Sequence, residues 1–200
     1  MTADSQQIDD ELVGVILSGG AGKRMQGADK GLQPYQGKPL LQHTIERIEN
    51  QVSSLVICAN RNISQYQTYG YEVIKDKSTG FEGPLAGISV ALEQLLLDEK
   101  NSANYALITS CDTPKIPDDY ASRLLAKIED KPVAAVHDGA RRQTLHCLIS
   151  RTVWAELIKS FEQGERALWQ WQDRIGLSEV DFGDQAQAFS NFNTLDDLNR

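Results

Sequence analysis

The chain of 200 residues has a formal net charge of −8 and 40% hydrophobic residues, a composition typical of a folded, acidic domain. This charge argues against a general nucleic-acid-binding protein, because such proteins neutralise phosphates with a basic surface. No apolar segment reaches the roughly 18 residues that a membrane-spanning helix requires, and the first residues do not resemble a secretory signal. Since the three cysteines include no CxxC pair, we expect reduced thiols and a cytoplasmic protein.

The apolar pattern predicts strands and helices that alternate along the chain. We expect residues 1–11 to form a flexible tail and residues 12–200 to form a single domain. The predicted strands cover 13–17, 55–57, 71–74, 105–108, 133–136 and 145–149. The predicted helices cover 39–52, 85–96, 118–129, 152–162 and 165–174, and a capping box of Thr194 and Asp197 starts another. This alternation is typical of parallel βαβ units, and it predicts a three-layer, doubly wound α/β fold with a mostly parallel sheet.

A glycine-rich segment with an excess of cations follows the first predicted strand. Between residues 22 and 38 the basic side chains, Arg24 and Lys30 among them, outnumber the acidic ones by four to one. Glycines let backbone N–H groups approach a phosphate, and neighbouring cations neutralise its charge. The Walker A and dinucleotide-binding patterns both fail, because Leu17 and Met25 stand where they need glycine. The functional interpretation is an anion site, and the alternative is a strand-to-helix turn with solvated basic residues.

Two aspartates follow predicted strands, at the edge of the sheet where open α/β folds bind ligands. Asp112 favours a Mg²⁺ site, because Mg²⁺ is usually held by one or two carboxylates together with phosphate oxygens and water. The alternative for Asp112 is a turn cap, since Asp-Thr-Pro is common turn chemistry. For Asp76 the residues alone favour a plain turn.

Several short motifs occur in an order that resembles one enzyme family. They are Leu17-Ser18-Gly19-Gly20, Arg24-Met25, Asp29-Lys30-Gly31-Leu32, Gly37-Lys38-Pro39-Leu40, Gly83-Pro84-Leu85-Ala86-Gly87, Cys111-Asp112-Thr113-Pro114 and Asn191-Phe192-Asn193-Thr194. The set resembles the nucleoside-triphosphate transferases and, within them, the molybdenum cofactor guanylyltransferases. The glycines at 19 and 20 distinguish it from the cytidylyl-transferring branch, which usually carries alanines there.

This resemblance implies a Rossmann-like nucleotidyltransferase fold that transfers GMP from GTP to the phosphate of the molybdopterin cofactor and releases pyrophosphate. It implies that Arg24, Lys30 and Asp112 are catalytic and that Asp112 binds Mg²⁺. The nucleotide-binding residues that we expect are Leu17, Ser18, Gly19, Gly20, Gly22, Lys30, Cys58, Asn60, Asp76 and Asp112. The residues that we place on the acceptor side are Gly83, Arg166, Asn191 and Asn193.

The chain departs from the family pattern at the loop expected to recognise the base. Cys58 stands where the enterobacterial pattern has asparagine, so a base contact there uses the Cys58 backbone or shifts to Asn60. Elsewhere, His43, His137 and His146 lack metal-ligand spacing, which favours structural or solvent-facing roles.

Two other functions stay open as alternatives. One is a nucleotidyltransferase of the same fold that uses CTP or activates a sugar phosphate. The other is a non-catalytic module that binds GTP or the cofactor. For the guanylyltransferase we expect a monomer that binds GTP and molybdopterin and makes transient contacts with cofactor-inserting proteins or molybdoenzymes. We expect neither nucleic acid nor a membrane as a partner.

Overall fold

The computed structural model describes residues 12–19, 28–75, 82–128 and 131–198. The strands in these ranges are β1 (Leu12–Leu17), β2 (Pro34–Tyr35), β3 (Lys38–Pro39), β4 (Ser54–Cys58), β5 (Glu72–Ile74), β6 (Tyr105–Ser110), β7 (Val133–His137), β8 (Arg142–Ser150) and β9 (Leu177–Asp181). The α-helices are α1 (Leu40–Ile48), α2 (Ile63–Gln67), α3 (Pro84–Leu97), α4 (Tyr120–Leu125), α5 (Trp154–Glu162), α6 (Leu168–Ile175) and α7 (Leu195–Leu198). Short 3₁₀ turns cover Lys30–Leu32, Glu49–Gln51, Arg151–Val153 and Gly183–Phe189. The expected tail at residues 1–11 lies outside the described ranges.

The main sheet has the order β5-β4-β1-β6-β8-β7-β9, while β2 and β3 form a separate antiparallel pair. Strand β1 pairs in parallel with β4 and β6, β4 pairs in parallel with β5, and β7 pairs in parallel with β9. Only β8 in this sheet runs against its neighbours β6 and β7, as far as the chain is described. The prediction of a mostly parallel sheet is therefore confirmed.

The sheet separates two hydrophobic cores, because successive side chains of a strand point to opposite faces. Along β1, Leu12 and Ile16 enter one core, and Val13 and Val15 enter the other. Helices α1 and α4 cover the first face, and α3, α5 and α6 cover the second. This arrangement confirms the three-layer α/β fold with helices on both sides.

The strand predicted at 145–149 does not belong to a parallel βαβ unit. This strand belongs to β8, which forms a hairpin with β7. The connection is a tight turn in which Asp138 Oδ1 accepts the N–H groups of Ala140 and Arg141, and Gly139 has a φ of +89°. So short a turn reverses the chain, since a parallel crossover needs a dozen or more residues.

Some element boundaries also differ from the sequence prediction. Strand β9 and helix α2 were not predicted, and α4 covers only part of the predicted 118–129 helix. The capping box is confirmed, because Thr194 Oγ1 accepts the Asp197 N–H while Asp197 Oδ2 accepts the Thr194 N–H. Within the described residues, the helices are too short or too polar to cross a bilayer.

Candidate functional site

The carboxyl ends of β1, β4 and β6 meet around a cavity of about 310 Å³. Each of these strands places one residue in its wall just past the strand end, namely Gly19, Asn60 and Asp112. Gly83, which immediately precedes α3, also lines the cavity. The other lining residues are Leu17, Cys58, Ile74, Glu82, Pro84, Gly87, Val90, Ser110 and Leu145. The cavity thus lies at the edge of the sheet that binds ligands in open α/β folds.

Lys30 and Asp112, which are 82 positions apart in the chain, form an ion pair beside this cavity. Lys30 Nζ lies 2.8 Å from Asp112 Oδ2 and 2.7 Å from Asn193 Oδ1. The Asp112 side chain is 9% exposed and that of Lys30 is 28% exposed. The fold therefore brings together three of the predicted site residues, with a cation and a carboxylate at one place.

Asp29 anchors the segment that carries Lys30. Its carboxylate is buried and accepts hydrogen bonds from Tyr66 Oη at 2.6 Å and from Asn62 Nδ2 at 2.9 Å. The guanidinium of Arg61 pairs with the same carboxylate at 3.4 Å and also donates to the Ala28 carbonyl. Hydrogen bonds to a charged acceptor are among the stronger ones in proteins, so these contacts fix the backbone at Lys30 to the chain that follows β4.

Gly31 is required next to Lys30 because there is no room for a side chain. A Cβ atom at Gly31 would lie 2.6 Å from Tyr66 Oη and 3.2 Å from Ser18 Oγ. Both neighbours are buried, and Tyr66 is held by its hydrogen bond to Asp29. The glycine thus allows the segment to pack directly against the end of β1.

The C-terminal segment completes the site from the far end of the chain. The Phe192 N–H donates to the Asp112 carbonyl at 2.9 Å, and the Asn193 N–H donates to Asp197 Oδ2 at 3.0 Å. The capping box of α7 therefore holds the backbone of Asn193 while its side chain accepts from Lys30. Asn191 lies nearby, with its Oδ1 3.3 Å from Thr113 Oγ1.

Gly83 and Arg166, both placed on the acceptor side, are neighbours in the structure. Gly83 precedes α3 with a φ of +89°, and Pro84 is the first helical residue, where its missing N–H costs little. Arg166 pairs at 3.6 Å with Glu82, which lines the cavity, and donates to the Phe161 carbonyl at 2.7 Å. The guanidinium is therefore positioned at the rim on the α3 side.

Cys58 and Asn60 lie at the end of β4 as predicted, but they face different neighbours. The Cys58 sulfur lies 3.6 Å from the Gly87 carbonyl of α3, within the range of a weak S–H hydrogen bond. Ser18 donates its backbone N–H to the Cys58 carbonyl at 2.8 Å, which joins β1 to β4. The amide of Asn60 lies beside Gly19, since a Cβ atom there would be 3.8 Å from Asn60 Nδ2.

Four predicted site residues, Gly20, Gly22, Arg24 and Asp76, lie outside the described residues. Seven residues that line the cavity were not among the predicted site residues, namely Ile74, Glu82, Pro84, Gly87, Val90, Ser110 and Leu145. Ser110 could have been found, because it ends the strand that leads to Asp112. Leu145 reaches the cavity because β8 is antiparallel, and the sequence analysis did not foresee that direction.

Burial controls the ionisation of two groups behind Asp112. It raises the pKa of the Cys111 thiol to about 12, and the negative charge of Asp112 acts in the same direction. Burial also lowers the pKa of His146 to about 4, although Asp112 acts in the opposite direction there. Both groups are therefore uncharged at neutral pH.

Comparisons with known proteins identify the family. A family model described as a MobA-like NTP transferase domain matches residues 14–176. The chain is 39% identical over 182 residues to the molybdenum cofactor guanylyltransferase of Shewanella halifaxensis, which covers 90% of this chain and 88% of that protein.

Two solved structures share the fold at low sequence identity. Molybdopterin-guanine dinucleotide biosynthesis protein A of Archaeoglobus fulgidus has a TM-score of 0.72 at 22% identity, over 94% of this chain and 95% of that one. A manganese complex of a Mycobacterium tuberculosis protein has a TM-score of 0.66 at 17% identity, over 86% and 88% of the two chains. From the family model and the sequence identity to the Shewanella enzyme, the chain belongs to the MobA-like NTP transferase family.

Proposed function

We propose that the chain is a molybdenum cofactor guanylyltransferase, which transfers GMP from GTP to the phosphate of the molybdopterin cofactor and releases pyrophosphate. The observation that carries the proposal is the Lys30–Asp112 ion pair, held by Asn193 beside a cavity at the carboxyl edge of the sheet. The names of relatives at about 39% identity over most of the chain support the choice of reaction.

The nucleotide occupies the cavity in this proposal. The backbone of Leu17, Ser18 and Gly19 faces it at the end of β1, and Gly20 and Gly22, which lie outside the described residues, also bind it. Since the Cys58 sulfur is directed at the Gly87 carbonyl, recognition of guanine falls to the side chain of Asn60 and to backbone groups near it. Asp76, which lies outside the described residues, also contributes to nucleotide binding in this proposal.

The donor set at Asp112 fits a Mg²⁺ ion. The described residues contain no cluster of three or more His, Cys, Asp or Glu side chains that could enclose a metal. One carboxylate is nevertheless enough for Mg²⁺, which takes its remaining ligands from phosphate oxygens and water. Asp112 would hold the ion, and the ion would neutralise charge on the triphosphate. A structural neighbour that was solved with manganese is consistent with a divalent cation.

The reaction needs charge neutralisation and positioning more than acid–base chemistry. A phosphate oxygen of the acceptor attacks the α-phosphorus of GTP in line, the new P–O bond forms, and the bond to the β-phosphate oxygen breaks. The attacking group is already an anion, so it does not require a base. Lys30 holds the phosphates and stabilises the charge that develops on the leaving pyrophosphate, and Arg24 shares this role.

The acceptor contacts Gly83 and Arg166 at the α3 side of the cavity, and Asn191 and Asn193 beside Asp112. Arg166 now pairs with Glu82 at 3.6 Å, a weak surface ion pair. In the proposal this pair breaks and the Arg166 guanidinium binds the phosphate of the acceptor instead. Asn193 accepts a hydrogen bond from Lys30, so it contacts the residue that holds the phosphates of the nucleotide. We further propose a cytoplasmic monomer that passes its product to cofactor-inserting proteins or molybdoenzymes.

A nucleotide panel tests the proposed function. Pyrophosphate release is measured with GTP, ATP, CTP and UTP in the presence of Mg²⁺ and the molybdopterin acceptor, and a chelator is added in parallel. GTP should be preferred and chelation should stop the reaction. A preference for CTP or UTP would reject the substrate, and Mg²⁺-dependent GTP binding without pyrophosphate release would indicate a non-catalytic module.

A pair of aspartate variants tests the site itself. Asp112→Asn should lose turnover, because it removes the charge that faces the triphosphate and its cation. Asp118→Asn is the matched control, since Asp118 pairs with Arg47 at the exposed surface. Equal turnover in the two variants would remove Asp112 from the proposed mechanism.

A further inference from the structure

A buried histidine lies behind Asp112 and has no part in the reaction described above. His146 belongs to β8, is 2% exposed and packs against the ring of Phe189 at a centroid distance of 5.3 Å. Its two ring nitrogens each contact a hydroxyl. Nδ1 lies 3.1 Å from Thr109 Oγ1, and Nε2 lies 3.2 Å from Thr113 Oγ1.

The surroundings of Thr113 determine which ring nitrogen carries the proton. Its hydroxyl has one hydrogen and three polar neighbours, namely His146 Nε2, Asn191 Oδ1 at 3.3 Å and Asp112 Oδ1 at 3.5 Å. The two oxygens can only accept. If the imidazole also accepted, the single hydrogen of Thr113 would point at the ring, and the hydroxyl oxygen would face two acceptors at a buried position. If Nε2 is protonated, it donates to Thr113, whose single hydrogen is then shared between those two oxygens.

The other side of the ring is consistent with this direction. With the proton on Nε2, Nδ1 is an acceptor, and the fully buried hydroxyl of Thr109 can donate to it. The ring is neutral at pH 7 because burial lowers its pKa to about 4, so one nitrogen donates while the other accepts. The hydrogen bonds therefore all point the same way. Thr109 donates to His146, His146 donates to Thr113, and Thr113 donates toward Asp112 and Asn191.

We propose that His146 is a positioning residue that, through its Nε2–H and the hydroxyl of Thr113, fixes the orientation of the Asp112 carboxylate. Lys30 holds Oδ2 of this carboxylate at 2.8 Å, and the longer contact of Thr113 directs a donor at Oδ1. A donor therefore faces each of the two oxygens of the carboxylate. This inference rests on the proposed function, in which Asp112 holds a divalent cation, because an oriented carboxylate loses less freedom when it binds.

The direction of the hydrogen bonds from Thr109 through His146 to Thr113 can be measured without any ligand. The protein has three histidines, so a long-range ¹H–¹⁵N correlation spectrum at neutral pH contains few ring signals, and the His146→Gln variant assigns one set to His146. We expect a protonated Nε2 and an unprotonated Nδ1. A protonated Nδ1 would overturn the inference whatever the protein binds.

The positioning role is tested by the affinity for Mn²⁺ in the presence of GTP, with Mn²⁺ as a spectroscopic probe. His146→Met removes the donor at similar volume and should weaken Mn²⁺ binding roughly 10- to 100-fold, the range typical for partners that orient a metal ligand. His146→Gln keeps an N–H donor and should restore most of this loss. Thr113→Val removes the next hydroxyl in the same series of hydrogen bonds. Adding it to His146→Met should therefore weaken Mn²⁺ binding little further.

A control variant separates positioning from stability. Phe189→Leu disturbs the packing around His146 without touching its hydrogen bonds, so it should lower the melting temperature and leave Mn²⁺ affinity unchanged. Wild-type affinity in a folded His146→Met protein would refute the positioning role, as would equal losses in the Met and Gln variants. Failure of the wild-type protein to bind Mn²⁺ with GTP would instead refute the proposed function. The tautomer measurement would still decide the direction of the hydrogen bonds through His146.

Discussion

Gly31 and Tyr66 should be energetically coupled, because the Cβ of Gly31→Ala would lie 2.6 Å from Tyr66 Oη. The hydroxyl cannot move away freely, since it donates to the buried Asp29 carboxylate at 2.6 Å. Overpacking of this kind costs about 1–3 kcal/mol of unfolding free energy. Tyr66→Phe removes the obstructing oxygen together with its hydrogen bond to a charged acceptor, a loss of about 1.5–3 kcal/mol.

The double variant Gly31→Ala/Tyr66→Phe should therefore be more stable than the sum of the two losses predicts. We expect a coupling of about 1–2 kcal/mol, within the range measured for residues in contact. Urea unfolding followed by circular dichroism gives the four free energies of the cycle.

Tyr71→Phe provides the matched control for this cycle. The Tyr71 hydroxyl also donates to a carboxylate, that of Glu49 at 2.9 Å, but at an exposed position away from Gly31. Its loss should be smaller, and it should add to the loss from Gly31→Ala without coupling. Strict additivity of Gly31→Ala with Tyr66→Phe would show that Gly31 is not needed for close packing against Tyr66.

Three further outcomes follow from the charges and burial at the site. Lys30→Met should reduce the rate of pyrophosphate release by roughly 10²–10³, as for the loss of one charge-stabilising donor, while Lys131→Met at the surface should leave the rate unchanged. His146 has its pKa lowered from 6.5 to about 4, so below pH 6.5 the unfolded chain binds the extra proton and stability falls by up to about 3 kcal/mol as the pH drops to 4. The unfolding free energy of His146→Met should fall less between pH 7 and 4.5, and an identical decrease would contradict the assignment. Burial raises the pKa of Cys111 and of Cys147 to about 12, so mass spectrometry should find both unmodified after the folded protein is treated with iodoacetamide at pH 8.

The layered fold could be predicted from the sequence because its central strands are continuous apolar runs. The run from Val13 to Leu17 predicts a strand buried on both faces, and β1 is such a strand. Strand β9 escaped prediction because an edge strand is only partly buried, and its sequence, Leu177–Asp181, contains few apolar residues. The hairpin of β7 and β8 did leave a signal, since Asp138-Gly139 is a typical turn pair, but the apolar pattern alone gives no strand direction.

The candidate site was predictable where a motif places its residues at a strand end. Asp112 and Asn60 lie at the cavity for that reason. The contacts of His146 could not be predicted, because Thr109 and Thr113 are 37 and 33 positions away and meet it only through the antiparallel pairing of β6 with β8. Likewise, the motif contains Asp29, but its contacts with Asn62 and Tyr66 depend on helix α2, which the sequence analysis did not find.

The contact between Lys30 and Asn193 spans 163 positions, so it can form only late in the synthesis of the protein. During synthesis, the ammonium and the carboxylate of the ion pair leave the ribosome well before the amide that joins them. A nascent chain can therefore assemble much of its sheet while Lys30 still lacks one partner. Trimming by a protease just before Asn191 would have a similar effect on the mature protein, since it would remove that amide and the Phe192 N–H from Asp112 while leaving every strand of the sheet in place.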